Sequence, residues 1–194
     1  RRNAAALAFA GMRGTVTPLR PDESGGWRDR SGRIRAPEEF DLVWFHEGDD
    51  PGTVDLPNAS RTDLRAYVGN GGSLLLSGAA GKLVNDLDLE RTQVRVLPAT
   101  EDAYTSGIVV LPARRTHPAF AGLDTSRPIL LTRLGGNALA DFYGTDGPHG
   151  ELLADGNGGL GERPLVEYRC GAGRVIFVGW RLPDFTTPDD AHRP

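Results

Sequence analysis

Residues 71–81 read GGSLLLSGAAG. Two glycines stop what precedes them, three leucines follow without alternation, and Ser77-Gly78 closes the run on a string of small residues. An unalternating apolar run bounded by glycine marks a strand buried on both faces. The small residues after it allow a sharp turn into a helix. Upstream, Leu64, Tyr67 and Val68 have helical spacing, with Ser60 as the expected N-cap and Asp63 in a capping-box position. Gly69-Asn70-Gly71-Gly72 ends that helix. FDLVWFHE (40–47) is a second continuous apolar run, closed by a polar pair, and KLVNDLDL (82–89) is a second helix candidate. Strand, helix, strand, helix in short alternation predicts an α/β domain. The expected architecture is a flavodoxin-like three-layer sandwich with a mostly parallel sheet.

The flanks extend this picture. AALAFA (5–10) reads as a first strand, and residues 18–39, rich in Pro, Gly and charge, as loop with a short helix. QVRVLP (93–98) and GIVVLP (107–112) are extended segments closed by proline. ELLADG, PLVEYRCG and GRVIFVGW, between residues 151 and 180, alternate with glycine turns, which predicts an antiparallel hairpin extension near the C-terminus. Gly171 and Gly173 fall where a tight hairpin turn needs positive φ. GNGGLG (156–161) matches a dinucleotide fingerprint in letters only: a strand-like segment follows it, not a helix, so it reads as a hairpin loop.

Composition bounds the function. A length of 194 residues suits one domain over 1–194, alone or within a longer protein. With 39% hydrophobic and 25% charged residues the chain can bury a core, which excludes a disordered class. The net charge of −4, with its basic residues scattered, argues against a nucleic-acid partner. No apolar run approaches the roughly 20 residues that span a membrane. The sequence begins at Arg1, so the missing signal peptide carries no weight, and secreted and cytoplasmic locations both stay open. Cys170 is the sole cysteine, which rules out an internal disulfide and a cysteine metal cage.

Four stretches, in this order, resemble the class I glutamine amidotransferase-like fold and, within it, the ThuA-like branch: DLVWFHEGD (41–49), LRAYVGNGGSLLLSGAA (64–80), THPAFAGL (116–123) and YRCGAGRVIFVGW (168–180). The resemblance covers most of residues 40–181. It implies an accessory domain of a carbohydrate-active enzyme, and it favours an extracellular setting. Amidotransferases of this fold carry a cysteine in a Gly-x-Cys-x-Gly turn after the corresponding strand. Setting Gly81 on the second glycine puts Ala79 in the nucleophile slot, and alanine cannot attack a carbonyl. Ser77 fails the serine version too, because Gly-x-Ser-x-Gly would need glycine where Leu75 and Ala79 stand. The plain expectation for Ser77 is a helix cap. The alternative is a nucleophile activated by His46.

Ligands of open α/β sheets sit beyond the carboxyl ends of the strands. His46, Glu47 and Asp49 follow one such end, Ser77 and Gly78 a second, and Trp180, Arg181 and Asp184 a third. Together they would offer charged hydrogen-bonding groups and an aromatic platform, which suits a sugar. The acidic run Glu47, Asp49, Asp50 lacks the calcium-loop spacing, and the histidines lie far apart in sequence, so no metal and no cofactor is assigned. His117, before Pro118, reads as ordering a turn. Two functions follow: a non-catalytic glycan-binding or assembly module with carbohydrate, a flanking catalytic domain or a second copy as partner, or a sugar or ester hydrolase working through His46, Glu47 and Ser77.

Overall fold

The structure is a computed structural model that describes residues 11, 14–23, 25–47, 56–91, 93–94, 96–97, 107–130, 141–142, 149–156 and 163–179. Among these, β1 (Leu19–Pro21), β2 (Trp27–Asp29) and β3 (Ile34–Arg35) form a small antiparallel sheet. β4 (Val43–Glu47), α1 (Asn58–Gly69), β5 (Ser73–Gly78) and the single helical turn α2 (Leu83–Asp86) follow. Then come β6 (Val96–Leu97), β7 (Gly107–Val110), β8 (Ile129–Leu130), β9 (Asp141–Phe142), β10 (Glu151–Gly156), β11 (Leu165–Cys170) and β12 (Gly173–Val178). The main sheet has seven strands in the order β4-β5-β12-β11-β10-β7-β8. β6 and β9 form a separate two-stranded ribbon.

This corrects the expected three-layer, mostly parallel sandwich. Among the described strands only the β4–β5 and β5–β12 pairs are parallel, and every other pair in the main sheet is antiparallel. The last of the described strands, β12, inserts beside β5, so the parallel pattern implied by β4-α1-β5 stops there. After α2 the chain leaves the main sheet to form β6, and among the described residues no helix lies between β10, β11 and β12. A parallel neighbour needs a long crossover, whereas an antiparallel one needs only a turn. The short glycine-marked connections therefore decide for antiparallel pairing.

The layers differ as well. Strand alternation puts Leu74 and Leu76 of β5, Val175 and Phe177 of β12, and Val43 and Phe45 of β4 on one face. Leu64, Tyr67 and Val68 of α1, with Leu83 and Val84 of α2, pack on that face, together with Trp27 of the small sheet. The opposite face of the antiparallel half carries a second core of Ile108, Val110, Leu153, Ala154 and Leu165, covered by Phe120 from the segment between β7 and β8. Among the described residues both helices thus belong to one face, and the other is covered by irregular chain.

Residues 18–39, expected as loop, instead build the small sheet. Its anchor is local chemistry. Asp63 Oδ2 accepts a 3.0 Å hydrogen bond from the Gly26 main chain, and the Ser60 hydroxyl donates to the Gly26 carbonyl. Ser60 and Asp63 therefore do not cap α1, whose N-cap is Pro57; they clamp the β1–β2 turn to the helix. At the β11–β12 hairpin, Gly171 adopts φ 58 as expected, but Gly173 does not have positive φ. Glycine is needed at 173 because a Cβ there would strike the Val68 and Gly72 carbonyls. The expected strand at 5–10, the loop at 157–161 and the chain after 179 lie outside the described residues.

Candidate functional site

β4, β5 and β12 run parallel, so their carboxyl ends meet at one edge of the sheet. Register places His46 beside Ser77, Glu47 beside Gly78 and Val178 beside Ser77. The structure thus brings together His46, Glu47, Ser77 and Gly78. Asp49, Trp180, Arg181 and Asp184 lie outside the described residues.

Ser77 is only 1% exposed. Its hydroxyl accepts a 2.7 Å hydrogen bond from Trp44 Nε1 and lies 2.8 Å from His46 Nδ1. An indole N–H can only donate, so it takes one hydroxyl lone pair. Whether the serine donates to Nδ1 or accepts from it is set by the imidazole tautomer. Trp44 and His46 are two apart on one strand, which sets both on the face shared by Ser77. Sequence reasoning singled out His46 but missed Trp44; the Trp-x-His spacing beside a strand-end serine was the signal available.

The turn after β5 also differs from expectation. Ser77 does not cap the following 3-10 turn (Ala79–Lys82); the N-cap is Gly78, and no side chain bonds there. Gly78 has φ 62 and ψ −137, a region that side-chain-bearing residues rarely adopt. A strand-to-helix turn with one such residue is the geometry that exposes a nucleophile in hydrolases. Here that residue is one position before Ala79, and it has no side chain. A Cβ at Gly78 would strike the Glu47 carbonyl and lie 3.7 Å from His46 Cε1. The end of β4 closes over the position where a nucleophile would stand.

Replacing Ser77 with alanine removes the buried hydroxyl that the half-buried Trp44 and His46 side chains both bond. That is expected to destabilise the fold by about 1–3 kcal/mol, lowering the melting point by several degrees in a thermal melt. An unchanged melting point would show that the network contributes nothing to stability.

A second polar cluster lies on the antiparallel half. Glu167 is 3% exposed, 3.3 Å from Arg174 Nη1 and 3.5 Å from His117 Nε2. Glu151, directly across the β10–β11 pair, carries Arg114. A charge this buried must be paired. His117 Nδ1 accepts a 3.2 Å hydrogen bond from the Ala119 main chain and so caps the turn Pro118–Phe120. The turn-ordering role read from the sequence is what the structure has. Among the described residues no group of three His, Cys, Asp or Glu side chains has metal-binding geometry, and no helix is long and apolar enough to cross a membrane.

No family model matches the sequence, and no curated protein matches it. Among solved structures it is similar to Cytoplasmic Protein STM3548 from Salmonella typhimurium (TM-score 0.46, 14% identity, over 74% of this chain and 61% of that one). It is also similar to Cytoplasmic Protein STM1381 from Salmonella typhimurium LT2 (TM-score 0.48, 17% identity, over 80% and 69%). A third likeness is to the exo-beta-1,4-mannosidase Op5Man5 from Opitutaceae bacterium strain TAV5 (TM-score 0.39, 18% identity, over 76% and 22%). The chain thus spans about a fifth of the mannosidase and under two thirds of STM3548. Likenesses this distant carry no argument for a shared function.

Proposed function

We propose that the chain is a non-catalytic, amidotransferase-like accessory module that binds a glycan at the carboxyl edge of β4 and β5, alongside a carbohydrate-active catalytic domain. The observation that carries this reading is the Ser77 hydroxyl, buried to 1% exposure and bonded to both Trp44 and His46. A hydroxyl held that way is a structural link between two strands. The elbow position itself is a glycine closed off by the Glu47 carbonyl. The Glu47 carboxylate at this edge is recognition chemistry, and Trp180 and Arg181, which follow β12 in the sequence, are residue types that suit a ring face and sugar hydroxyls.

The test is a thermal-shift screen against mono- and oligosaccharides. A sugar at about 100 times its dissociation constant adds roughly 2.7 kcal/mol, which raises the melting point by roughly 5–10 °C in a domain of this size. The shift is expected to disappear in Glu47→Ala and in Trp180→Ala. No shift with any sugar overturns the glycan reading and leaves an assembly role.

One observation favours the second reading, a sugar or ester hydrolase. The 2.8 Å contact between His46 Nδ1 and Ser77 Oγ is within the reach a base needs to activate a nucleophile. That reading requires Ser77-dependent turnover.

A further inference from the structure

The Glu90 carboxylate lies away from the strand edge and is 6% exposed. It follows α2 through a turn in which Asp88 takes φ 54. Three donors converge on it. The Tyr168 hydroxyl of β11 donates at 2.6 Å, the His149 main-chain N–H donates to the same oxygen, and His149 Nδ1 reaches the other oxygen at 3.1 Å. An ionised carboxylate only accepts, so Nδ1 carries a proton. Among the described residues, His149 and Tyr168 are the titratable groups facing Glu90; Arg163 stands beyond, donating to the Gly150 carbonyl at 3.1 Å. Burial pushes Glu90 up, but the Tyr168 hydroxyl and the two His149 donors outweigh it and hold the carboxyl below its ordinary value. Burial and the Glu90 charge push the Tyr168 phenol up, so it stays a donor.

The position of this cluster gives it a consequence. Glu90 comes shortly before β6 and His149 shortly after β9. β6 and β9 pair antiparallel, Val96 with Phe142 and Leu97 with Asp141. The Glu90–His149 contact therefore closes the base of that ribbon, and Tyr168 ties the base to the central strand β11. The β6 backbone in turn runs beside the turn Ala79–Lys82, directly after Gly78.

We propose that Glu90, Tyr168 and His149 form an acid-released clasp that fixes the β6–β9 ribbon against the elbow turn and so sets access to the strand edge. The clasp stands on its own geometry; its effect on ligand access rests on the ligand-site reading above. His149 donates to Glu90 in both its neutral and its charged form. The carboxyl is thus the group whose protonation breaks the set, because a protonated carboxyl brings its own hydrogen against three donors. The folded-state value lies below the unfolded one. The stabilisation is therefore complete above the ordinary glutamate range and is lost as pH falls through the folded value.

Hydrogen–deuterium exchange read by peptide, corrected for the intrinsic effect of pH, tests this without any ligand. Between about pH 7 and about pH 3.5, the peptides that carry 90–97 and His149 are expected to lose protection by up to about tenfold, the most that one pH unit below the ordinary glutamate value allows, while β5 and β12 stay protected. Glu90→Gln is expected to show the fast ribbon already at neutral pH and to lose the pH step. If Glu90→Gln does not fold, Tyr168→Phe, which removes one donor, is expected to give a smaller change of the same kind. Arg65→Ala, which breaks an exposed pair with Asp88 on the same loop, is expected to leave the ribbon unchanged. The proposal is overturned if the ribbon exchanges alike at both pH values, or if ribbon and central strands lose protection together. Glycan binding that persists when the clasp fails would separate the two readings.

Discussion

Gly78→Ala is expected to destabilise the domain by about 2–5 kcal/mol and to lower its melting point by roughly 5–15 °C. Two costs add. The backbone at φ 62 and ψ −137 is strained for any residue with a Cβ. The new methyl also meets the Glu47 carbonyl, part of a strand that cannot retreat without giving up its pairing to β5. The same contact means that putting serine or cysteine at 78 is expected to disrupt the elbow, not to restore a nucleophile. A melting point within about 2 °C of wild type would show that β4 and β5 can separate at this edge. The position would then be open to a side chain.

The second large effect concerns the two-sided sheet. Phe177 is fully buried on the face that packs against α1, whereas Ile176, next in sequence, is only partly buried on the other face. Phe177→Ala is expected to cost about 3–5 kcal/mol, and Ile176→Ala about half as much. Urea unfolding of the two variants measures the difference directly. Equal losses would mean that the second face is packed as tightly as the first, contrary to the layer arrangement described here.

Much of the parallel half was legible in the sequence. Leu64, Tyr67 and Val68 repeat at helical spacing, and the unbroken leucines of β5 mark a strand with no solvent face, so α1 and β5 fall close to where they are expected. The antiparallel majority was harder to read. Nothing local tells a chain that β12 will insert beside β5, because that choice is made by pairing across some hundred residues. The small sheet was missed for a related reason. Its strands are two or three residues long and too short to show a period, and they are held by Asp63 and Ser60, whose side chains looked like caps because Ser and Asp are common in that role. FDLVWFHE read as a strand buried on both faces, yet β4 ends the strand order of the described sheet and is half-buried throughout.

At the site, the sequence named His46, Glu47, Ser77 and Gly78 because strand ends can be found from hydrophobic runs. It could not show that Trp44 would bond Ser77, since that contact depends on the β4–β5 register. Nor could it show that the left-handed residue of the turn is Gly78 and not Ala79, which small-residue strings such as SGAAG leave ambiguous. The Glu90 cluster was out of reach altogether: its three residues are spread across 78 positions, and no spacing links them.

The measurement that tests the central claim most directly is turnover of chromogenic esters and glycosides by the wild-type protein and by Ser77→Ala, in the same preparations and at the same concentrations. A non-catalytic module predicts no hydrolysis above background by either protein, with any glycan-induced thermal shift present in both. Hydrolysis by wild type that vanishes in a folded Ser77→Ala would contradict the account and make Ser77 a nucleophile with His46 as its base.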